Sequence, residues 1–335
     1  MQILITGIAG FVGSSIASKL ISSGHQITGI DNFSSGTFSR IKNFAHAINM
    51  VVGDIENSLN DDLGDFDAII NCAATAPLPN NEVDHYSSIQ NNVATCGAIM
   101  QFANRNQINK VIHFSSSAVY EGINNDQFNP LVEDMNLSPK LMYPLSKYLS
   151  EQYVATQAKI HQIPTFTLRL FNLYGPNQDY HRTQPPLLGY LFKSLMLSEK
   201  AKIYGTKGAK RDYININDLI YFIEKLLTDR PKIGNHEILN VGSGNSYDVF
   251  DIISLIQKIS GNRLLYETDK PRNFWDKYQE TEGKLTRLPA DLLEKEVKKV
   301  AYANIAKSIM YGLKIETSME SGLIECYKTA KDLFK

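Results

Sequence analysis

At 335 residues, 43% of them hydrophobic, the chain exceeds one ordinary domain and carries enough apolar side chains for a large core, so two lobes are expected. A formal net charge of −1 and a pI near 6.7 argue against a nucleic-acid footprint or attraction to an anionic membrane, and no apolar run approaches the roughly 18 residues of a membrane span. The amino terminus enters a strand without a charged and then apolar leader, Cys72, Cys96 and Cys326 lack any C-x-x-C pairing, and the histidines show no paired spacing, so a cytoplasmic protein without disulfides, metal or membrane anchor is expected.

Residues 2–6 read as a short apolar strand, and Gly7-Ile-Ala-Gly10-Phe11-Val12-Gly13 follows at once, opening a helix that runs to about Ser23. In such a turn Gly7 permits the tight bend, Gly10 lets the backbone approach a pyrophosphate, and Gly13 allows close packing of helix on strand, with the phosphates at the positive helix end. A second strand, residues 26–30, ends in Asp31, 18 residues beyond Gly13 and placed to accept both ribose hydroxyls of a dinucleotide. An acid there repels a 2′-phosphate. NAD is therefore favoured over NADP, while Arg40 and Lys42 lie close enough in sequence to keep the second cofactor open.

Further strands are expected at 48–52, 67–71, 110–114 and 164–171, separated by helical stretches such as 91–104 and 144–160. This alternation predicts a Rossmann-type, doubly wound parallel sheet with helices on both faces. Ligands bind beyond the carboxyl ends of its strands, where Asp54 and Ile55, Ala73 and Ala74, and Ser115 to Ser117 would join the glycine turn on one rim. After Asn172 the pattern loosens around Gly175-Pro176 and Pro185-Pro186, which predicts a smaller α/β lobe that binds substrate. The expected division is 1–172 for the cofactor, with 213–242 returning to it through a strand at 237–241, and 173–212 with 243–335 for the substrate.

Tyr143 and Lys147 lie four residues apart on a predicted helix and so share one face. A free tyrosine is a poor base at neutral pH, but a neighbouring ammonium favours the phenolate, and a serine hydroxyl from 115–117 could orient a sugar hydroxyl or carbonyl against it. Taken alone, this spacing also arises by chance among 17 tyrosines, and the serines could merely cap a turn.

The order of the motifs decides between these readings. Thr6 to Gly13, Asp31-Asn32, Gly53-Asp54-Ile55, Asn92 to Thr95, Phe114 to Tyr120, Tyr143-x-x-x-Lys147, Arg169 to Pro176 and Arg211-Asp212-Tyr213 resemble, in sequence order, the signatures of extended short-chain dehydrogenases/reductases. More narrowly, they are similar to the NAD-dependent epimerase/dehydratase family acting on nucleotide sugars, of the UDP-glucose 4-epimerase kind, from Met1 to about Gly242. The resemblance implies Tyr143 as catalytic acid/base, Lys147 on the nicotinamide ribose, and Ser116 as catalytic serine with Ser117 as second choice. It implies that Gly7, Gly10, Phe11, Val12 and Gly13 cradle the NAD pyrophosphate, that Asp31 and Asn32 hold the adenosine ribose, and that Asp54 and Ile55 border the adenine. Ala73 and Ala74 would line the cofactor path. Asn172, Arg211 and Arg272 would meet the sugar nucleotide near its diphosphate, although the sequence around Arg272 departs from the family's usual pattern. A homodimer acting in polysaccharide biosynthesis follows from the same resemblance.

Ser116-Ser117-Ala118 lacks the acidic residue that water-eliminating relatives carry, which argues against a dehydratase. Glu121 intrudes between Tyr120 and Gly122 and is expected to lengthen a loop beside the sugar pocket, and Cys72 stands where many relatives have histidine or another residue. The loop 179–186, with His181 and Arg182, could close over the ligand. The expected activity is epimerisation, at C4 of a nucleotide-linked hexose, through a keto sugar. A reductase of a nucleotide-linked keto sugar is the chemical alternative, and a catalytically silent NAD-binding regulator the alternative of another class.

Overall fold

The computed structural model describes residues 1–76, 78–123, 130–182, 185–204, 207–231, 235–270 and 298–335; Arg272 falls outside them. The first lobe begins with β1 (Gln2–Thr6), α1 (Phe11–Ser22), β2 (Gln26–Asp31), α2 (Phe38–Ile41), β3 (Ile48–Val52), α3 (Ile55–Ser58) and β4 (Ala68–Asn71). It continues through α4 (Leu78–Val83), α5 (His85–Ile89), a π-helical turn at Gln90–Ala94, α6 (Thr95–Arg105), β5 (Val111–Ser116), α7 (Met142–His161) and β6 (Thr165–Leu170). The chain then forms β7 (Asn172–Tyr174), α8 (Leu187–Leu197), β8 (Ala201–Ile203), β9 (Lys210–Asn215), α9 (Ile216–Thr228) and β10 (His236–Val241). It ends in β11 (Ser246–Asp248), α10 (Val249–Ser260), β12 (Tyr266–Thr268), β13 (Val300–Ala301), α11 (Ala306–Met310) and α12 (Met319–Leu333).

A seven-stranded sheet in the order β10-β6-β5-β4-β1-β2-β3 forms the centre, and each adjacent pair is parallel. Strand β1 shows why it is covered twice. Successive side chains point to opposite faces, and Ile3 and Ile5 pack with Ile16 and Leu20 of α1 and Phe222 and Leu226 of α9, while Leu4 packs with Ile99 and Met100 of α6 and Val154 of α7. The doubly wound expectation is met, and the order reverses beside β1, which opens a crevice at the carboxyl ends of β1 and β4.

The expected strand 164–171 breaks at Phe171. Its amide still bonds the Val241 carbonyl at 2.9 Å, but from Asn172 onward the chain leaves the large sheet and β7 pairs with β9. The smaller lobe has its own core of α8, α10 and α12, in which Phe192, Ile252, Ile256 and Leu323 are fully or almost fully buried. A buried acid joins its strands: Asp212 on β9 accepts the Ser243 amide at 2.7 Å, the Ser243 hydroxyl at 2.7 Å, and the amides of Gly244 and Ala303 at 3.0 Å each. Among the described residues no helix is long and apolar enough to cross a membrane.

Candidate active site

The glycine turn is built by close approach. Gly7 adopts φ +68°, and a Cβ there would sit 2.9 Å from the backbone of Ala73; a Cβ on Gly13 would meet the Gly7 carbonyl at 2.3 Å. No larger residue fits either position. Asp31 then fixes the loops around the turn, accepting the Ala9 amide through Oδ2 and the Phe33 amide through Oδ1, both at 2.8 Å. Asn32 donates to the Asp54 carboxylate at 2.7 Å.

Beside this turn lies a cavity of about 710 Å³ whose wall includes Gly7, Gly10, Phe11, Val12, Gly13 and Ala74 on one side and Ser115, Ser116, Ser117, Tyr143, Asn172 and Tyr213 on the other. An adjoining recess of about 120 Å³ is bounded by Asp31, Asn32, Asp54, Ile55 and Ala73. The amino end of α1 lines this space without a side-chain cap, and the absence of side chains at Gly7, Gly10 and Gly13 leaves a cradle that a Cβ would fill. The helix end, the cradle and the carboxylate beyond it fit a dinucleotide.

Ser116 ends β5 and Tyr143 lies in the first turn of α7, so the strand and the helix present the two hydroxyls to each other, and Ser116 hydrogen-bonds the phenol. Burial raises the Tyr143 pKa above its usual value; the Ser116 hydrogen bond and the charge of Arg182 oppose that rise. The Lys147 ammonium is buried and donates to the Phe114 carbonyl at 2.5 Å; burial lowers its pKa, and Cys96 and Glu151, the latter one turn further along α7, oppose that fall. Arg182 is a cation whose charge lowers the Tyr143 pKa.

Arg182 belongs to a charged group that the sequence does not reveal. Asp179 pairs with Arg182 at 3.4 Å and also with Arg40, whose guanidinium reaches across from α2, 139 residues away in sequence. Arg40 is thereby occupied with the opposite wall. All three residues line the large cavity, whereas His181 packs its ring 5.0 Å from that of Phe334. Asn172 faces the cavity while its amide donates to the Asp212 carbonyl at 2.7 Å. Arg211 lines neither space and donates to the carbonyls of Lys210 and Lys299 at 3.1 and 2.5 Å.

Beneath the wall a buried network holds β5 to α7. Glu151 accepts Ser115 Oγ at 2.5 Å and three contacts from Arg169 between 2.9 and 3.2 Å, and Arg169 also donates to Tyr120 Oη at 2.9 Å. Asn92, in the π-helical turn, accepts the Thr75 amide at 2.8 Å and donates to Ser146 Oγ at 3.0 Å. The widened turn directs this side chain inward, which is why the expected helix 91–104 starts as α6 only at Thr95.

A parallel sheet with a dinucleotide cradle at its switch point, facing a serine and a tyrosine whose helix carries a buried lysine one turn on, defines an enzyme of the short-chain dehydrogenase type. Comparison with known proteins places it more narrowly. The sequence profile of the NAD dependent epimerase/dehydratase family matches residues 3–242, and the chain belongs to that family; its cofactor is NAD. The chain is 27% identical to a UDP-glucose 4-epimerase of Corynebacterium glutamicum over 82% of its own length and 85% of the relative's. Its fold matches that of a UDP-N-acetylglucosamine 4-epimerase from Methanobrevibacter ruminantium M1, solved with UDP-N-acetylmuramic acid, with a TM-score of 0.84 at 25% identity, covering 98% of this chain and 97% of the other. A UDP-glucuronic acid 4-epimerase from Bacillus cereus, solved with UDP-glucuronic acid and NAD, gives a TM-score of 0.83 at 25% identity, covering 99% of this chain and 100% of the other.

Proposed function

We propose that this protein is a nucleotide-sugar epimerase that inverts C4 of a UDP-linked hexose through a transient keto sugar. The observation that carries this reading is the convergence of Tyr143, Ser116 and Asn172 on one cavity that also contains the glycine cradle. The names of the related enzymes, each a 4-epimerase of a UDP-sugar, support the carbon and the nucleotide.

NAD, when bound, supplies a reversible two-electron acceptor. Tyr143 receives the proton of the sugar C4 hydroxyl as that carbon becomes a ketone, and returns it after the ring has turned in the cavity. Ser116 holds the same oxygen toward the phenol. The buried ammonium of Lys147, which lies on the Tyr143 face of α7, binds the nicotinamide ribose. Residues 1–172 with 213–242 hold the cofactor, and 173–212 with 243–335 hold the nucleotide sugar.

The test is to offer UDP-glucose, UDP-N-acetylglucosamine and UDP-glucuronic acid to the washed protein without added cofactor, and to identify the nicotinamide released on denaturation. Near-stoichiometric NAD and formation of a C4 epimer are expected, and Tyr143→Phe is expected to lower kcat by about 10²- to 10⁴-fold with bound NAD unchanged. Turnover that needs added NADH and consumes it would replace this reading with a keto-sugar reductase. An unaffected Tyr143→Phe would remove the mechanism.

A further inference from the structure

Helix α7, which carries Tyr143 in its first turn, starts without a cap of its own. Leu141 stands at the N-cap with φ −74° and ψ 149°, offers no side-chain acceptor, and no acidic residue follows in the first turn. The amides of residues 140–142 would therefore lack partners at a buried helix end.

Two glutamates from distant segments supply them. Glu121 Oε2 accepts the amide of Lys140 at 2.5 Å and that of Leu141 at 2.9 Å, and Glu82 Oε1 accepts the amide of Met142. Both acids are buried, 5% and 6% exposed. His85 Nε2 lies 4.0 Å from Glu82 Oε2. Glu121 thus points at the backbone before Tyr143, and its side chain is not among those that line the cavity.

Each acid also belongs to a segment that builds the site. Glu121 follows the helical turn Ser117–Tyr120, which continues directly from Ser116. Glu82 lies on α4, whose Asn80 lines the cavity. A carboxylate at a helix amino end also meets the positive end of the helix dipole.

We propose that Glu82 and Glu121 are positioning residues that act through the backbone of 140–142 to hold the Tyr143 phenol in register with Ser116. This rests on the catalytic role proposed for Tyr143. It follows that the acceptor oxygen, more than the charge, is what the site requires, because three backbone amides are the groups being held.

The test uses the full-length protein and four single variants, Glu121→Ala, Glu121→Gln, Glu82→Ala and Glu82→Gln. Amide hydrogen exchange at residues 140–142 is followed by mass spectrometry, beside kcat and KM for whichever UDP-hexose the wild type converts. The alanine variants are expected to lose about 10- to 100-fold in kcat, the scale of a small misplacement of a reacting group, with KM and bound NAD within about threefold of wild type. Their exchange at 140–142 should accelerate while that of α6 does not. The glutamine variants keep an acceptor and should remain within about threefold of wild type in kcat. Should one alanine variant fail to fold, the other acid carries the same comparison. An active wild type whose alanine variants keep full kcat would overturn the proposal, as would glutamine variants damaged as much as alanine. If the wild type converts no UDP-hexose, the epimerase reading fails separately, and exchange at 140–142 that is equally fast in wild type and alanine variants would then overturn the clamp itself.

Discussion

Gly13 and Tyr143 stand at opposite ends of what a single residue reveals. Gly13 has one physical reading, because its Cβ would lie 2.3 Å from a carbonyl oxygen, and the spacing from Gly7 already implied that close approach. Tyr143 was legible as a candidate, but the charge acting on it was not. The helical spacing pointed to Lys147, whose ammonium is held by the Phe114 carbonyl, whereas the charge of Arg182, 39 residues further along the chain, also acts on the phenol. Arg182 favours the ionised phenol, so Arg182→Gln should raise the Tyr143 pKa and move the limb of the kcat profile that reports phenol ionisation to higher pH. A profile that keeps its position while KM rises would limit Arg182 to substrate binding.

Among the elements, the strands of the large sheet and helices α1, α6 and α7 were legible from periodicity, while several of their ends and the small strands β7, β8, β9, β11, β12 and β13 were not. Strand β5 runs on to Ser116 and so brings the serine to the rim, two residues beyond the end read from hydrophobicity, because its pairing with β6 continues through Ser116 and Leu170. Lys110, read as the first residue of that strand, instead closes a helix. Its buried ammonium donates to the carbonyls of Leu226 at 2.6 Å and Leu227 at 2.7 Å and to that of Asp229, at the carboxyl end of α9. Lys110→Met should therefore cost about 1–3 kcal/mol in urea unfolding, because buried carbonyls lose their donor, with kcat unchanged because α9 lies behind the sheet. An unshifted urea midpoint would show that water replaces the ammonium without loss.

At the scale of the whole molecule, buried ionisable groups make the fold sensitive to acid. His236 begins β10, pairs with Thr167 Oγ1 at 2.9 Å, and is held by burial at a pKa of about 4, while burial keeps His113 well below its usual value. The unfolded imidazole of His236 takes up its proton near pH 6.5 and the folded one only near pH 4, so the stabilisation is complete above 6.5 and is lost as pH falls through that window. The shift from 6.5 to about 4 corresponds to about 3 kcal/mol. Thermal unfolding should therefore drop between pH 7 and pH 4.5, and His236→Gln should flatten that slope; an unchanged slope would assign the acid sensitivity to other groups.

The sequence by itself determined the sheet, the glycine cradle and the candidates for the reacting side chains, because these depend on local pattern: alternating apolar strands, glycines at fixed spacing, and a tyrosine and lysine one helical turn apart. It also carried the family, whose profile matches residues 3–242. Tertiary structure alone decided which charges face one another. Arg40 meets Asp179 across 139 residues, Glu151 meets Arg169 between a helix and a strand, and Glu82 and Glu121 converge on the start of α7 from 60 and about 20 residues away. Such pairs leave no periodic trace, since a carboxylate is drawn by the nearest unsatisfied donor in space, and that donor is set by how the lobes pack.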